Sequence, residues 1–78
     1  MRDVLIREEP IQLYKLLKLE GLASNGGEAK AAVAEGKVLV NGQVETRKRK
    51  KIVAGDVVEF GGETLRVHTG SELSGRTS

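Results

Sequence analysis

Apolar and polar positions along the chain fall into three regimes. Val4-Leu5-Ile6 is a short continuous run of β-forming residues. From Pro10 the spacing changes. Ile11, Leu13, Tyr14, Leu16 and Leu17 are apolar, and Gln12, Lys15 and Lys18 recur every third residue between them, which predicts a helix starting at Pro10 with one wet side. Proline suits a first helical turn, and Glu8 and Glu9 ahead of it suit the positive end of the helix dipole. Gly21 marks the stop. A second helix is predicted from Asn25, which has Glu28 three residues on as a capping partner, through Ala29, Ala32 and Val33 to Gly36. Helices of about ten residues are marginal alone, so both must pack on each other or on a sheet.

Beyond Gly36 the pattern is that of strands. Asn41-Gly42 between Val38-Leu39-Val40 and Gln43-Val44 is a strong hairpin signal, because both turn residues tolerate positive φ. Ile52-Val53-Ala54-Gly55-Asp56 reads as a turn-like link. Gly61-Gly62 joins Val57-Val58-Glu59-Phe60 to Thr64-Leu65-Arg66-Val67 as a second hairpin. The expected fold is α+β: two short helices packed on a small twisted, mainly antiparallel sheet. It forms a single domain over residues 1–68, and the tail 69–78, with little to bury, is expected to fray. Leu13, Leu16, Leu17, Ala29, Ala32, Val33, Val40, Val58 and Leu65 are the expected core.

Composition narrows the chemistry. The 78 residues include no cysteine and one histidine, His68. Disulfide scaffolds, cysteine zinc sites, thiol nucleophiles and multi-histidine metal sites are excluded. Apolar residues make up 38% and charged residues 31%, which suits a globular domain rather than a disordered one. The charged N-terminus is too short for a signal peptide, and no apolar run approaches a membrane span. A cytoplasmic monomer without cofactor is expected.

Enzyme readings find no support. His68 reads as an exposed strand residue with no nucleophile presented to it. Ser24, Ser71, Ser74 and Ser78 lack a strand-to-helix nucleophile elbow. Glu8 and Glu9 are adjacent and diverge. Tyr14 falls among apolar helical positions and reads as core.

Charge distribution is the sharpest feature. Residues 1–46 hold six Lys/Arg and seven Asp/Glu, and residues 52–78 hold two basic and four acidic. All the excess positive charge of this +2 chain therefore lies in Arg47-Lys48-Arg49-Lys50-Lys51. Five adjacent cations repel one another unless an anion relieves them, and nucleic-acid phosphates reward such contacts through counterion release. A solvated loop or a localisation signal gives the same pattern, and an acidic partner protein is the main alternative occupant. Asn25-Gly26-Gly27 leaves backbone N–H groups uncovered at a helix start, a seat for a phosphate or simply a capped loop. Lys30, one turn on, is a second phosphate contact or an ordinary surface lysine. Tyr14 and Phe60 are the only aromatics, too few for the stacking platform of a single-strand binder, so an RNA partner would be folded RNA read by shape and phosphate position.

The order of these parts resembles a known family. Leu22-Ala23-Ser24, the helix start with Glu28-Ala29-Lys30, Glu35-Gly36-Lys37-Val38-Leu39-Val40-Asn41-Gly42 and Ala54-Gly55-Asp56-Val57-Val58 are similar to the RNA-binding domain of the ribosomal protein S-four type, the alpha-L motif. The match covers about residues 10–60. Leu16-Leu17-Lys18-Leu19-Glu20-Gly21 and Val44-Glu45-Thr46 leading into the basic run resemble its stand-alone bacterial branch.

The resemblance implies a non-catalytic module docking on structured RNA, ribosomal or transfer, with the ribosome or an assembly intermediate as partner and no small-molecule substrate. Carried over by position, it points to Gln12, Lys15, Asn25, Gly26, Gly27, Lys30 and Lys37, with the basic run belonging to the stand-alone branch. Many members have Arg-Leu-Asp where this chain has Gln12-Leu13-Tyr14, and often Arg where Gly26 stands. Those substitutions move the expected phosphate contacts toward Arg47, Lys48, Arg49, Lys50 and Lys51.

Overall fold

The hairpin signals locate the frame. In the computed structural model, which describes residues 1–69, Asn41 and Gly42 adopt φ of 52° and 83°. Such a turn matches the right-handed twist of its strands. It joins β3 (Leu39–Val40) to β4 (Gln43–Val44), and Gly61-Gly62 joins β6 (Val57–Phe60) to β7 (Glu63–Thr69). The remaining elements are β1 (Arg2–Ile6), β2 (Ile11–Gln12), α1 (Leu13–Leu19), α2 (Gly26–Ala34) and β5 (Lys51–Ile52). Five strands form one sheet in the order β1-β7-β6-β3-β4. Pairing within it is antiparallel except for β1, which runs parallel to β7 with Val4 opposite Val67. A second sheet consists of β2 and β5 alone, with Ile11 opposite Ile52.

All nine expected core residues are buried, joined by Val4, Ile6, Ala23, Val38, Ile52 and Val67. Leu13, Leu16 and Leu17 of α1 meet Ala29, Ala32 and Val33 of α2 above the sheet. Asn41 also locks the hairpin to the turn before β6. Its Nδ2 donates to Asp56 Oδ1 at 3.1 Å, and its Oδ1 accepts from the Val57 amide at 2.9 Å.

Three expectations are corrected. Helix α1 starts at Leu13, not Pro10, because Ile11 and Gln12 remain extended to pair with Ile52 and Lys51. Ile52 is accordingly a fully buried strand residue rather than part of a turn. His68 is not an exposed strand residue. Its side chain is 13% accessible, and Nε2 lies 2.8 Å from Asp3 Oδ1 across the β1–β7 pair. The tail beyond Thr69, expected to fray, lies outside the described residues, whereas Thr69 itself closes β7.

Candidate nucleic-acid interface

The basic run is held by its main chain. Arg47 O accepts from the Lys50 amide at 3.1 Å, closing a turn with Lys48 and Arg49 at its exposed tip. The turn docks on the start of α1. Leu13 N–H donates to Lys50 O at 2.9 Å and Tyr14 N–H to Lys48 O at 3.0 Å. Those two amides lack partners inside the helix, and Gln12 at the N-cap supplies no side-chain acceptor. The loop carbonyls take that role. They bring the backbone of the basic run onto the start of α1.

Helix α2 begins beside the same place. Asn25 Oδ1 caps it by accepting from the Glu28 amide at 2.8 Å. The amides of Gly26 and Gly27 precede the first intrahelical bond, which Ala29 N makes to Asn25 O. A methyl group at Gly26 would sit 4.0 Å from Tyr14 Cε2, so the start of α2 borders the Tyr14 ring. Lys30, one turn later, holds its Nζ 4.8 Å from the centroid of that ring. Tyr14 therefore joins the three pieces: the basic turn through its backbone amide, the α2 start and Lys30 through its ring.

The other expected site residues have partners or settings of their own. Lys37 pairs with Glu35 at 3.0 Å and borders the β6–β7 turn with Glu59 and Glu63, an acidic setting. Lys15 is exposed on α1 and lines a recess toward β1. Gln12 is half-buried opposite Lys51, with its Oε1 shielded from solvent and accepting no hydrogen bond among the described residues. Arg47 is already engaged. Glu45 Oε2 accepts from its Nε at 2.9 Å and from its backbone amide at 3.1 Å, and Glu45 Oε1 accepts from an Nη at 3.2 Å. These hydrogen bonds hold the Glu45 carboxyl below its usual range and raise the guanidinium further above its own.

Sequence reasoning assigned Tyr14 to the core and passed over Glu45. Both had a signal. Residues two apart in extended chain share a side, so Glu45-Thr46-Arg47 brings a carboxylate to the first cation of the run. Tyr14 is the one aromatic among the apolar positions of α1, and a ring at a helix start is large enough to reach a neighbouring element.

The geometry is that of a small α+β module with a basic turn docked on paired helix starts, and its sequence places it plainly. Residues 4–68 match the S4 domain family, and the chain belongs to it. Among its relatives, the putative RNA-binding protein YbcJ of Escherichia coli (strain K12) is 56% identical over 57 residues, 73% of this chain and 81% of that protein. The probable ribosome maturation protein RlbA of Bacillus subtilis (strain 168) is 42% identical over 57 residues, 73% of this chain and 80% of that protein. The solution structure of Escherichia coli YbcJ, described as revealing an alfaL motif involved in RNA-binding, superposes with a TM-score of 0.65. It is 50% identical and covers 86% of each chain. The α+β fold expected from the sequence is thus the fold of this motif.

Proposed function

We propose that the chain is a non-catalytic module that docks on structured RNA, ribosomal RNA in particular. One observation carries the reading. The basic turn docks through its backbone on Leu13 and Tyr14, and the start of α2 and Lys30 border the Tyr14 ring, which supports a shared phosphate-binding surface for Lys48, Arg49, Lys50, Lys51, Lys30 and the Gly26 and Gly27 amides. Phosphates lying across it would relieve the repulsion among these cations and release counterions. The two pieces meet through Tyr14, which favours an RNA whose backbone is itself held in shape. The names of the relatives, RNA-binding and ribosome maturation proteins, point the same way. Arg47 contributes beside its Glu45 partner, Asn25 sets the α2 start, Gln12 borders the surface opposite Lys51, and Lys15 and Lys37 stand outside it. No described helix is long and apolar enough to cross a membrane, and the cytoplasm, where ribosomal RNA is, would be the place of action.

The test is binding of the full chain to a folded ribosomal RNA fragment at two salt concentrations, with unstructured RNA and duplex DNA as controls. The comparison is with a variant carrying Lys48→Ala, Arg49→Ala, Lys50→Ala and Lys51→Ala. The expected result is preference for folded RNA in the wild type, and lower affinity with a flatter salt dependence in the variant, by about 0.7–0.9 in log–log slope per lost contact. Equal binding by the folded variant would remove the basic turn from the site. Absence of RNA binding by the wild type would redirect attention to an acidic protein partner.

A further inference from the structure

A recess of about 830 Å³ lies between β1, the bend that follows it and α1. That volume is within the range of about 300–1,000 Å³ usual for ligand sites. Its walls are largely apolar. Leu5 and Ile11 line it from the strands and Leu19 from α1. Leu5 is 52% exposed and Leu19 is 63% exposed, two of the few large hydrophobic side chains left in water among the described residues. Lys15 stands one turn before Leu19 on the same helix face. Four charged residues line the recess: Arg7, Glu8, Lys15 and Glu20. Glu20 is taken by Arg2, whose Nη2 donates to its Oε1 and to its carbonyl, both at 2.8 Å. Arg7, Glu8 and Lys15 take part in no ion pair among the described residues. Two cations thus stand against one uncompensated carboxylate.

Gln12 joins this recess to the basic run. It lines the recess, and its strand partner is Lys51. Side chains directly opposite in an antiparallel pair leave on the same face, so the exposed side chain of Lys51 starts beside that of Gln12. Gln12 Oε1 accepts no hydrogen bond among the described residues. A donor entering the recess can therefore turn the amide toward itself without breaking a bond of that oxygen, and a buried acceptor gains most from such a partner.

We propose that the recess is a seat for one unpaired nucleotide: a base extruded from folded RNA enters between Leu5 and Leu19, and its flanking phosphates lie on Lys51, Lys15 and Arg7. The proposal rests on the RNA reading above and names the kind of RNA, a helix that carries a bulged residue. A base has two apolar faces and a polar edge. Extruded bases are held between apolar or aromatic side chains and by hydrogen bonds to that edge, and the recess offers aliphatic walls with the Gln12 amide between them. A bulged residue loses the least stacking on extrusion, and unpaired residues are where RNA exposes its base edges to a protein. An apolar side chain of a partner protein would fill the same walls. The link through Gln12 to Lys51 and the excess of cations favour the nucleotide.

The test titrates the full chain with two RNA hairpins, one fully paired and one identical except for a single bulged 2-aminopurine in the stem. The wild type should bind the bulged hairpin about tenfold more tightly, a modest return for seating one base. Leu19→Gln and Leu5→Gln replace exposed side chains, so both variants should fold, and in each the ratio of the two affinities should fall toward about one. The basic-turn variant described above should weaken both hairpins together. In methyl NMR spectra, the bulged hairpin should shift Leu5 and Leu19 and the paired one should leave them in place. Equal affinities of the wild type for the two hairpins would overturn the seat and leave the RNA reading standing. So would a preference that persists in both folded variants, or Leu5 and Leu19 methyls that the bulge does not move. A wild type that binds neither hairpin would overturn the RNA reading, and the seat with it.

Discussion

The ammonium of Lys30 stands 4.8 Å from the centroid of the Tyr14 ring. Lys30 is half-buried, so the ring both attracts the cation and limits where it can go. A contact of this kind contributes roughly 0.5–1 kcal/mol at a partly exposed site. Its larger effect is positional: it fixes one cation of α2 against the helix whose start carries the basic turn.

The first consequence concerns Tyr14 itself. Tyr14→Phe keeps the ring and should leave stability and RNA affinity close to wild type. Tyr14→Ala removes a half-buried ring and should cost about 2–3 kcal/mol, less than the 3–5 of a fully buried one. RNA affinity should fall as well, because Lys30 loses its seat. Urea unfolding and RNA titration of both variants check this, and equal affinity in a folded Tyr14→Ala variant would show that the ring does not position Lys30.

Arg47 and Lys48 should not be equivalent. Lys48 lies at the exposed tip of the turn, whereas Arg47 is clamped by Glu45. Lys48→Ala should flatten the log–log salt dependence of RNA binding by about 0.7–0.9. Arg47→Ala should flatten it less, since part of its charge is already neutralised, and Glu45→Gln should steepen it. Salt titrations of the three variants decide, with equal slopes for Lys48→Ala and Arg47→Ala as the contrary result.

Acid should loosen the β1–β7 pair. The hydrogen bond from His68, aided by charge from His68 and Arg66, holds the Asp3 carboxyl below its ordinary 3.8 despite some desolvation. A lowered carboxyl contributes stability above its unfolded value and loses it as pH falls through the folded one. Wild type should therefore exceed Asp3→Asn above about pH 4, and the two should converge in stronger acid. Melting both proteins across pH 2 to 7 gives the comparison. A difference that persists unchanged at the acid end would assign it to something other than this ionisation.

Leu17 has no exposed surface and lies between the two helices and the sheet. Leu17→Ala should cost about 2–5 kcal/mol, a large share of the roughly 5–15 kcal/mol that holds a domain together. Circular dichroism during urea titration should show a strongly lowered midpoint or an already unfolded chain. A loss under 1 kcal/mol would mean the site collapses around the gap.

Much of this fold was legible because its signals are local. Asn41-Gly42 and Gly61-Gly62 set two hairpins through backbone conformations few other residues tolerate, and Asn25 set the start of α2 through one hydrogen bond. What stayed hidden depends on residues far apart. The parallel pairing of β1 with β7 joins Val4 to Val67, and no periodicity links them. The start of α1 shifted from Pro10 to Leu13 because a distant strand, Lys51–Ile52, claimed the intervening residues. For the site, the charges were legible and their grouping was not. Lys37 looked like a member and stands beside Glu35, while Tyr14 looked like plain core and is the point where the pieces meet.

The two hydrogen bonds from Leu13 and Tyr14 to the loop carbonyls make the helix start a strain gauge for the basic turn. Lys48 and Lys50 carry the accepting carbonyls, so any shift of the turn's backbone also loosens the first turn of α1. An anion that draws the cations together should slow exchange of the Leu13 and Tyr14 amide protons, although neither amide touches it. Those two protons would then report occupancy of a surface on which they do not lie.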